Sequence, residues 1–112
     1  DISGAYKIDN DSINQLITCS PNLVELYINH MKALSSLTIN APNSSIKKIH
    51  VQGGINKLRQ VNMKIPSLET LDLSNNLLLI SLELVAPQLK ILNIKGSENI
   101  SNRSLENILK PE

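Results

Sequence analysis

A short apolar phrase recurs along the chain. In PSLETLDLSNN, residues 66–76, leucines stand at 68, 71 and 73 behind Pro66. The same spacing follows three other prolines, as Leu23, Leu26, Ile28, then Ile46, Ile49, Val51, then Leu89, Leu92, Ile94. The five prolines fall at 21, 42, 66, 87 and 111, with separations of 21, 24, 21 and 24 residues. A second row of identical spacing lies midway, as Leu34, Leu37, Ile39, then Leu58, Val61, Met63, then Leu79, Leu82, Leu84. Apolar residues two apart with a polar one between predict a short strand with one buried face. Each repeat therefore offers two such strands. A repeat this short has no interior of its own, but stacked copies align the rows into one continuous core.

Both ends depart from the middle in the same way. Laid over each other, they match Ile2 with Ile94, Gly4 with Gly96, Ile8 with Ile100 and Ser12 with Ser104. Ile13, Leu16, Ile17 and Leu105, Ile108, Leu109 follow the i, i+3, i+4 rule of a one-faced helix. Asp9 to Asp11 and Ser101 to Asn102 supply candidate N-caps. The pattern predicts helices mainly in the first and last repeats and strand-like returns between them.

Composition narrows the class. A length of 112 residues with 41% apolar content predicts a single domain, 1–112, of about four to five repeats. Leucine and isoleucine supply 33 residues against two tyrosines as the only aromatics, so the core must be aliphatic. Eleven basic and ten acidic residues give a net charge of +1, and no block reaches five like charges. Nucleic acid is thereby excluded as the expected partner, since phosphate binding needs a concentrated basic surface. No apolar run approaches the roughly 18 residues of a membrane span, and no basic-then-apolar leader opens the chain, so no membrane insertion is expected. The single cysteine, Cys19, has no internal disulfide partner, which favours an intracellular location.

Leu68, Leu71, Leu73 and Asn76 match the LxxLxLxxN signature of leucine-rich repeats, and the chain resembles that family over nearly its whole length. Met31, Gly54 and Ser97 stand where Asn76 does in its repeat. In the family that asparagine ties successive turns by backbone hydrogen bonds, so the departure bears on curvature rather than on stacking. The end repeats, with Cys19 and ENISNRSLENIL, are similar to the cysteine-containing subtype common in F-box proteins. The inner INAPNSSIKKIHV and LVAPQLKILNI resemble repeats of F-box proteins and of bacterial effectors. The resemblance implies an α/β fold, a right-handed leucine-rich-repeat solenoid with a parallel β-sheet on its concave face. A flattened parallel β-helix is the alternative. It also implies a non-enzymatic scaffold that binds a protein partner through the concave face. The alternatives are the substrate-recognition arm of an F-box-type ubiquitin ligase adaptor, or a repeat domain positioning substrate for an attached enzyme, for example in an effector.

With the buried rows fixed, strand alternation assigns the outward positions. The middle row reads Asp1, Tyr27, His50, Asp72 and Asn93, flanked by Glu25, Lys48, Thr70, Ile91 and by Ser3, Asn29, Gln52, Ser74, Lys95. From these, Glu25, Tyr27, Asn29, Lys48, His50, Gln52, Thr70, Asp72, Ser74, Asn93 and Lys95 are the candidate partner-binding residues. Tyr27, a favoured anchor type, lies with His50 and Asp72 at the centre. The second ladder exposes Ser36, Thr38, Asn40, then Gln60, Asn62, Lys64, then Ser81, Glu83, Val85, a predicted solvated convex surface.

No catalytic, metal or cofactor site is predicted. His30 and His50 lack cysteine or carboxylate partners at ligand spacing and read as isolated surface histidines. Cys19 reads as a buried, inert thiol. Gly53 and Gly54 read as permitting a tight turn after Val51. Four sequons, at Asn10, Asn43, Asn99 and Asn102, are chance matches among fourteen asparagines. Neither end carries a recognisable polar cap, so the chain is expected to be a piece of a longer repeat protein, or its only ordered part.

Overall fold

Each of the first four prolines opens a turn. In the computed structural model, which describes residues 9–28, 34–53 and 57–104, Pro21, Pro42, Pro66 and Pro87 occupy the second position of tight turns. These are closed by hydrogen bonds from Leu23, Ser44, Leu68 and Leu89 N–H to the carbonyls of Ser20, Ala41, Ile65 and Ala86. The fixed φ of proline suits that position. The expectations for Asp1, Ile2, Ser3, Gly4, Ile8, Asn29, His30, Met31, Gly54 and the Leu105, Ile108, Leu109 stripe concern residues outside the described segments.

The chain is α/β, with two sheets of parallel strands. Helix α1 (Asn10–Thr18) precedes β1 (Glu25–Tyr27), β2 (Ser36–Asn40), β3 (Lys48–His50), β4 (Gln60–Lys64), β5 (Thr70–Asp72), β6 (Ser81–Val85) and β7 (Ile91–Asn93). Successive strands alternate between a four-stranded sheet ordered β1-β3-β5-β7 and a three-stranded sheet ordered β2-β4-β6. The register is the one the aliphatic rows demand, with Leu26, Ile49, Leu71 and Leu92 aligned in one sheet and Leu37, Val61 and Leu82 in the other. Every residue of the seven aliphatic rows either belongs to one core cluster or packs against it. The strand-like returns are β2, β4 and β6, and helical backbone occupies α1 and residues 102–104 at the two ends.

Asp9 caps α1, its carboxylate accepting the Ser12 N–H at 2.9 Å, and Ser101 does the same for Ser104 at 3.2 Å. Ile13 and Ile17 form the buried stripe of α1. Leu16 departs from the expected stripe and is 38% exposed, because it sits to one side of the line joining Ile13 and Ile17. Cys19 is likewise corrected: it is exposed rather than buried. It follows the last turn of α1, about 200° around the helix from Ile17.

At β2 the outer strand edge is met by polar side chains of α1. The Asn10 side chain donates to Ser36 O at 2.8 Å and accepts from Thr38 N at 2.9 Å. One helical turn on, Asn14 donates to Thr38 O at 2.7 Å and accepts from Asn40 N at 3.0 Å. Each carboxamide presents the donor and acceptor of a peptide group. Two positions four apart on a helix match two residues along a strand, so α1 satisfies the β2 edge as a neighbouring strand would.

Between turns, Asn76 is 1% exposed and its carboxamide donates to Val51 O at 2.6 Å and Leu73 O at 2.9 Å. Ser97, at the equivalent place one repeat later, is 4% exposed; its hydroxyl donates to Leu73 O at 2.5 Å and accepts from Asn76 N at 2.8 Å. The serine thus keeps the bond between turns that the asparagine position supplies. Gly53 has a different reason from the one expected. A Cβ there would collide with the backbone carbonyl of Asn75, so close approach of two turns, not a turn conformation, requires glycine.

Asn14→Ala is expected to lower stability by about 1–3 kcal/mol in urea unfolding, since it leaves backbone groups of β2 without partners. Faster amide exchange at Asn40 should accompany it. Gly53→Ala should cost about 1–3 kcal/mol by forcing two backbones apart, whereas substitution of exposed Ser45 should change stability by less than about 0.5 kcal/mol.

Candidate functional site

The outer face of the β1-β3-β5-β7 sheet gathers most of the predicted residues. Register sets Glu25, Lys48, Thr70 and Ile91 in one row and Tyr27, His50, Asp72 and Asn93 in the next. Neighbouring parallel strands lie about 4.8 Å apart, a distance that lets flat side chains at one register position stack. Tyr27 and His50 do so, with ring centroids 4.3 Å apart and planes 7° from parallel.

His50 is therefore not the isolated surface histidine the sequence suggests. Its Nε2 lies 2.8 Å from Glu25 Oε2, a diagonal contact across β1 and β3, and its side chain is 20% exposed. A carboxylate can only accept, so Nε2 is the donor in this bond. The bond from His50 holds the Glu25 carboxyl below its ordinary value of 4.5, with the positive charge of Lys48 acting in the same direction against the opposing effect of burial. Tyr27 is pushed above its ordinary value, first by burial and then by the Glu25 charge. Glu25, Tyr27 and His50 form one interlocked cluster.

Asp72 is the second node. Its Oδ2 accepts from Gln52 at 2.9 Å and its Oδ1 accepts from Ser74 N at 2.9 Å. Burial alone pushes its carboxyl up, but the bonds from Gln52 and Ser74, with the nearby His50, outweigh it and hold the pKa below the ordinary 3.8. Farther along, Asn93 Oδ1 accepts the backbone N–H of Lys95 at 3.0 Å. Lys48, Gln52, Asn93 and Lys95 are exposed, and Thr70 and Asp72 are half-buried.

Ser74 does not belong to this face. It is 7% exposed, because the ladder ends at Asp72 and the chain then turns at Ser74 and Asn75, with Asn75 at φ 60°. The Ser74 carbonyl instead accepts from Gly53 N at 2.8 Å. Asn29 lies outside the described residues.

The sequence reading missed a charged column just before the strands. Glu69 contacts Lys47 Nζ at 3.4 Å and Lys90 Nζ at 3.8 Å, one on each neighbouring turn. Aligning the repeats by their aliphatic rows would have placed the three in one column. Such exposed pairs contribute little stability, but they set charges of alternating sign along one border of the face. On the opposite sheet, Thr38, Asn40, Gln60, Lys64, Glu83 and Val85 are exposed as expected, with Ser36, Asn62 and Ser81 half-buried. Among the described residues, no three histidine, cysteine, aspartate or glutamate side chains converge on a metal-sized site, and no helix is long and apolar enough to cross a membrane.

The lowered Glu25 pKa stabilises the folded chain above the unfolded value of 4.5, and this contribution is lost as pH falls through the folded value. An NMR titration of the Glu25 carboxyl carbon should give a midpoint below 4.5 that rises in His50→Ala. An unchanged midpoint in that variant would show that the contact has no energetic content.

The chain matches no family model, and neither a curated protein nor a solved structure is detectably similar to it.

Proposed function

We propose that the chain is a protein-interaction scaffold built as a leucine-rich-repeat-like solenoid, with the β1-β3-β5-β7 sheet as its concave face and no catalytic role. The helical segments at both ends favour this over a flattened parallel β-helix, whose turns would be stranded on both sides throughout. One observation carries the functional reading: the outer face holds Tyr27 flat against His50, with His50 bonded to Glu25 at 2.8 Å.

An aromatic residue fixed in place before binding loses little conformational freedom when a partner arrives, which is the economy that makes tyrosine an interface anchor. Around it stand groups of both signs, Glu25, Lys48, Asp72 and Lys95, with uncharged Gln52, Thr70 and Asn93 between them. Such a face suits a folded protein surface of mixed charge better than a polyanion.

Immobilised chain should retain a partner from an extract of its source, and the double variant Tyr27→Ala, Asp72→Arg should retain at least about tenfold less, the loss expected when an anchor is truncated. Its far-ultraviolet circular dichroism should match the parent's. Full retention by a folded double variant would remove the face as the binding surface.

A further inference from the structure

Leu77 and Leu78 stand at the tip of a tight turn between β5 and β6. Asn76 and Leu79 on either side of them are buried, and the Leu79 N–H closes the turn on Asn76 O at 3.1 Å. The two central residues therefore project outward, at positions where glycine, proline and small polar residues are the usual choice. Here they are leucines, 57% and 43% exposed, and Ile80 just beyond the turn is 50% exposed.

The neighbouring repeats show that the stack does not require apolar residues there. Leu58, Leu79 and Ile100 are equivalent buried positions, and the layers around them are joined by Ile80 N–H donating to Arg59 O at 2.9 Å and Ser101 N–H donating to Ile80 O at 2.8 Å. The places of Leu78 and Ile80 are held by Lys57 and Arg59 in the preceding layer and by Asn99 and Ser101 in the following one. Glu98 is level with Leu77, and the Asn99 side chain donates to Leu77 O at 2.6 Å. Leu78 and Ile80 thus lie in the interior of the stack, between described residues on both sides, and are open to solvent all the same.

An apolar patch with a polar rim is the mark of a contact surface. The rim carries opposite signs on its two sides, with exposed Lys57 and Arg59 toward the preceding layer and exposed Glu98 toward the following one. A surface charged in this way is complementary to itself. When a second copy is turned through half a revolution so that the two stacks run antiparallel, each basic border meets the other copy's acidic one. With the stacks parallel, Lys57 and Arg59 would lie against their own counterparts.

We propose that this corner is the docking surface for a second copy of the chain, related by a two-fold axis, with Leu77, Leu78 and Ile80 of the two copies in contact and Lys57 opposite Glu98 at each border. The contact is small for a specific interface, so the pairing belongs in the range of about 10 to 1,000 µM. It uses none of the residues of the polar outer face and does not depend on what that face binds.

The test is analytical ultracentrifugation of the chain across about 10 to 1,000 µM. The parent should pass from monomer toward dimer over that range. Leu78→Asn with Ile80→Ser, which copies the following layer onto this one, should weaken the pairing at least about tenfold without altering the far-ultraviolet circular dichroism. Lys57→Glu alone should weaken it several-fold, and Lys57→Glu combined with Glu98→Lys should restore it, since the exchange re-forms both border pairs. A parent that stays monomeric to the top of the range overturns the proposal, and its binding to phosphatidylserine vesicles would then assign the corner to a lipid surface. Undiminished pairing in the Leu78, Ile80 variant overturns it by placing the contact elsewhere. A charge exchange that restores nothing overturns the two-fold arrangement.

Discussion

The parallel register between strands one repeat apart governs everything else in this molecule. A row of three aliphatic side chains cannot bury itself, and each is dried only when the next row lies over it at the spacing of a hydrogen-bonded ladder. One residue of slip would turn every row to the outside. The same alignment that superposes Leu26, Ile49 and Leu71 also superposes Tyr27, His50 and Asp72 on the other side of the backbone. The stacked rings of the outer face are thus a by-product of the core's requirement, and the Glu25 to His50 bond needs the diagonal offset that this register supplies.

Burial of the turns themselves follows a second rule. Wherever the backbone passes between layers, its polar groups must be paired, and here small polar side chains do this from within. Asn76 and Ser97 differ in size and chemistry, yet both reach the carbonyl of the preceding turn. What the position requires is a donor at a given height, and a hydroxyl supplies it as well as a carboxamide. The glycine at 53 is the complementary solution, where two main chains approach too closely for any side chain.

This division explains what could be read from the sequence and what could not. The aliphatic rows, the proline spacing and the Asp9 and Ser101 caps were legible because each is a pattern of local spacing or a residue with one strong preference. The outward rows followed from them by alternation. Ser74 was misplaced because alternation was carried one step beyond the end of β5, into a turn. Cys19 and Leu16 were misjudged because a short helix buries a narrow stripe. The roles of Asn10 and Asn14 left no trace at all, since their partners are main-chain groups more than 20 residues away and any residue offers those. The stack of Tyr27 on His50 was legible as a juxtaposition, but its bond to Glu25 depends on rotamers that no spacing rule specifies.

The asparagine pair on α1 is also self-limiting. Four helical residues advance about 6.0 Å, two parallel-strand residues about 6.6 Å, and the helix meanwhile turns about 40° past a full revolution. The two scales behave as a vernier: they coincide for two marks and drift apart by the third, which would sit over 1 Å short and face away from the sheet. A helix can therefore impersonate a strand for only two rungs, and lengthening α1 would add no further grip. Its girth of about 10 Å, against a strand spacing of about 4.8 Å, also breaks the pitch of the layers beside β2.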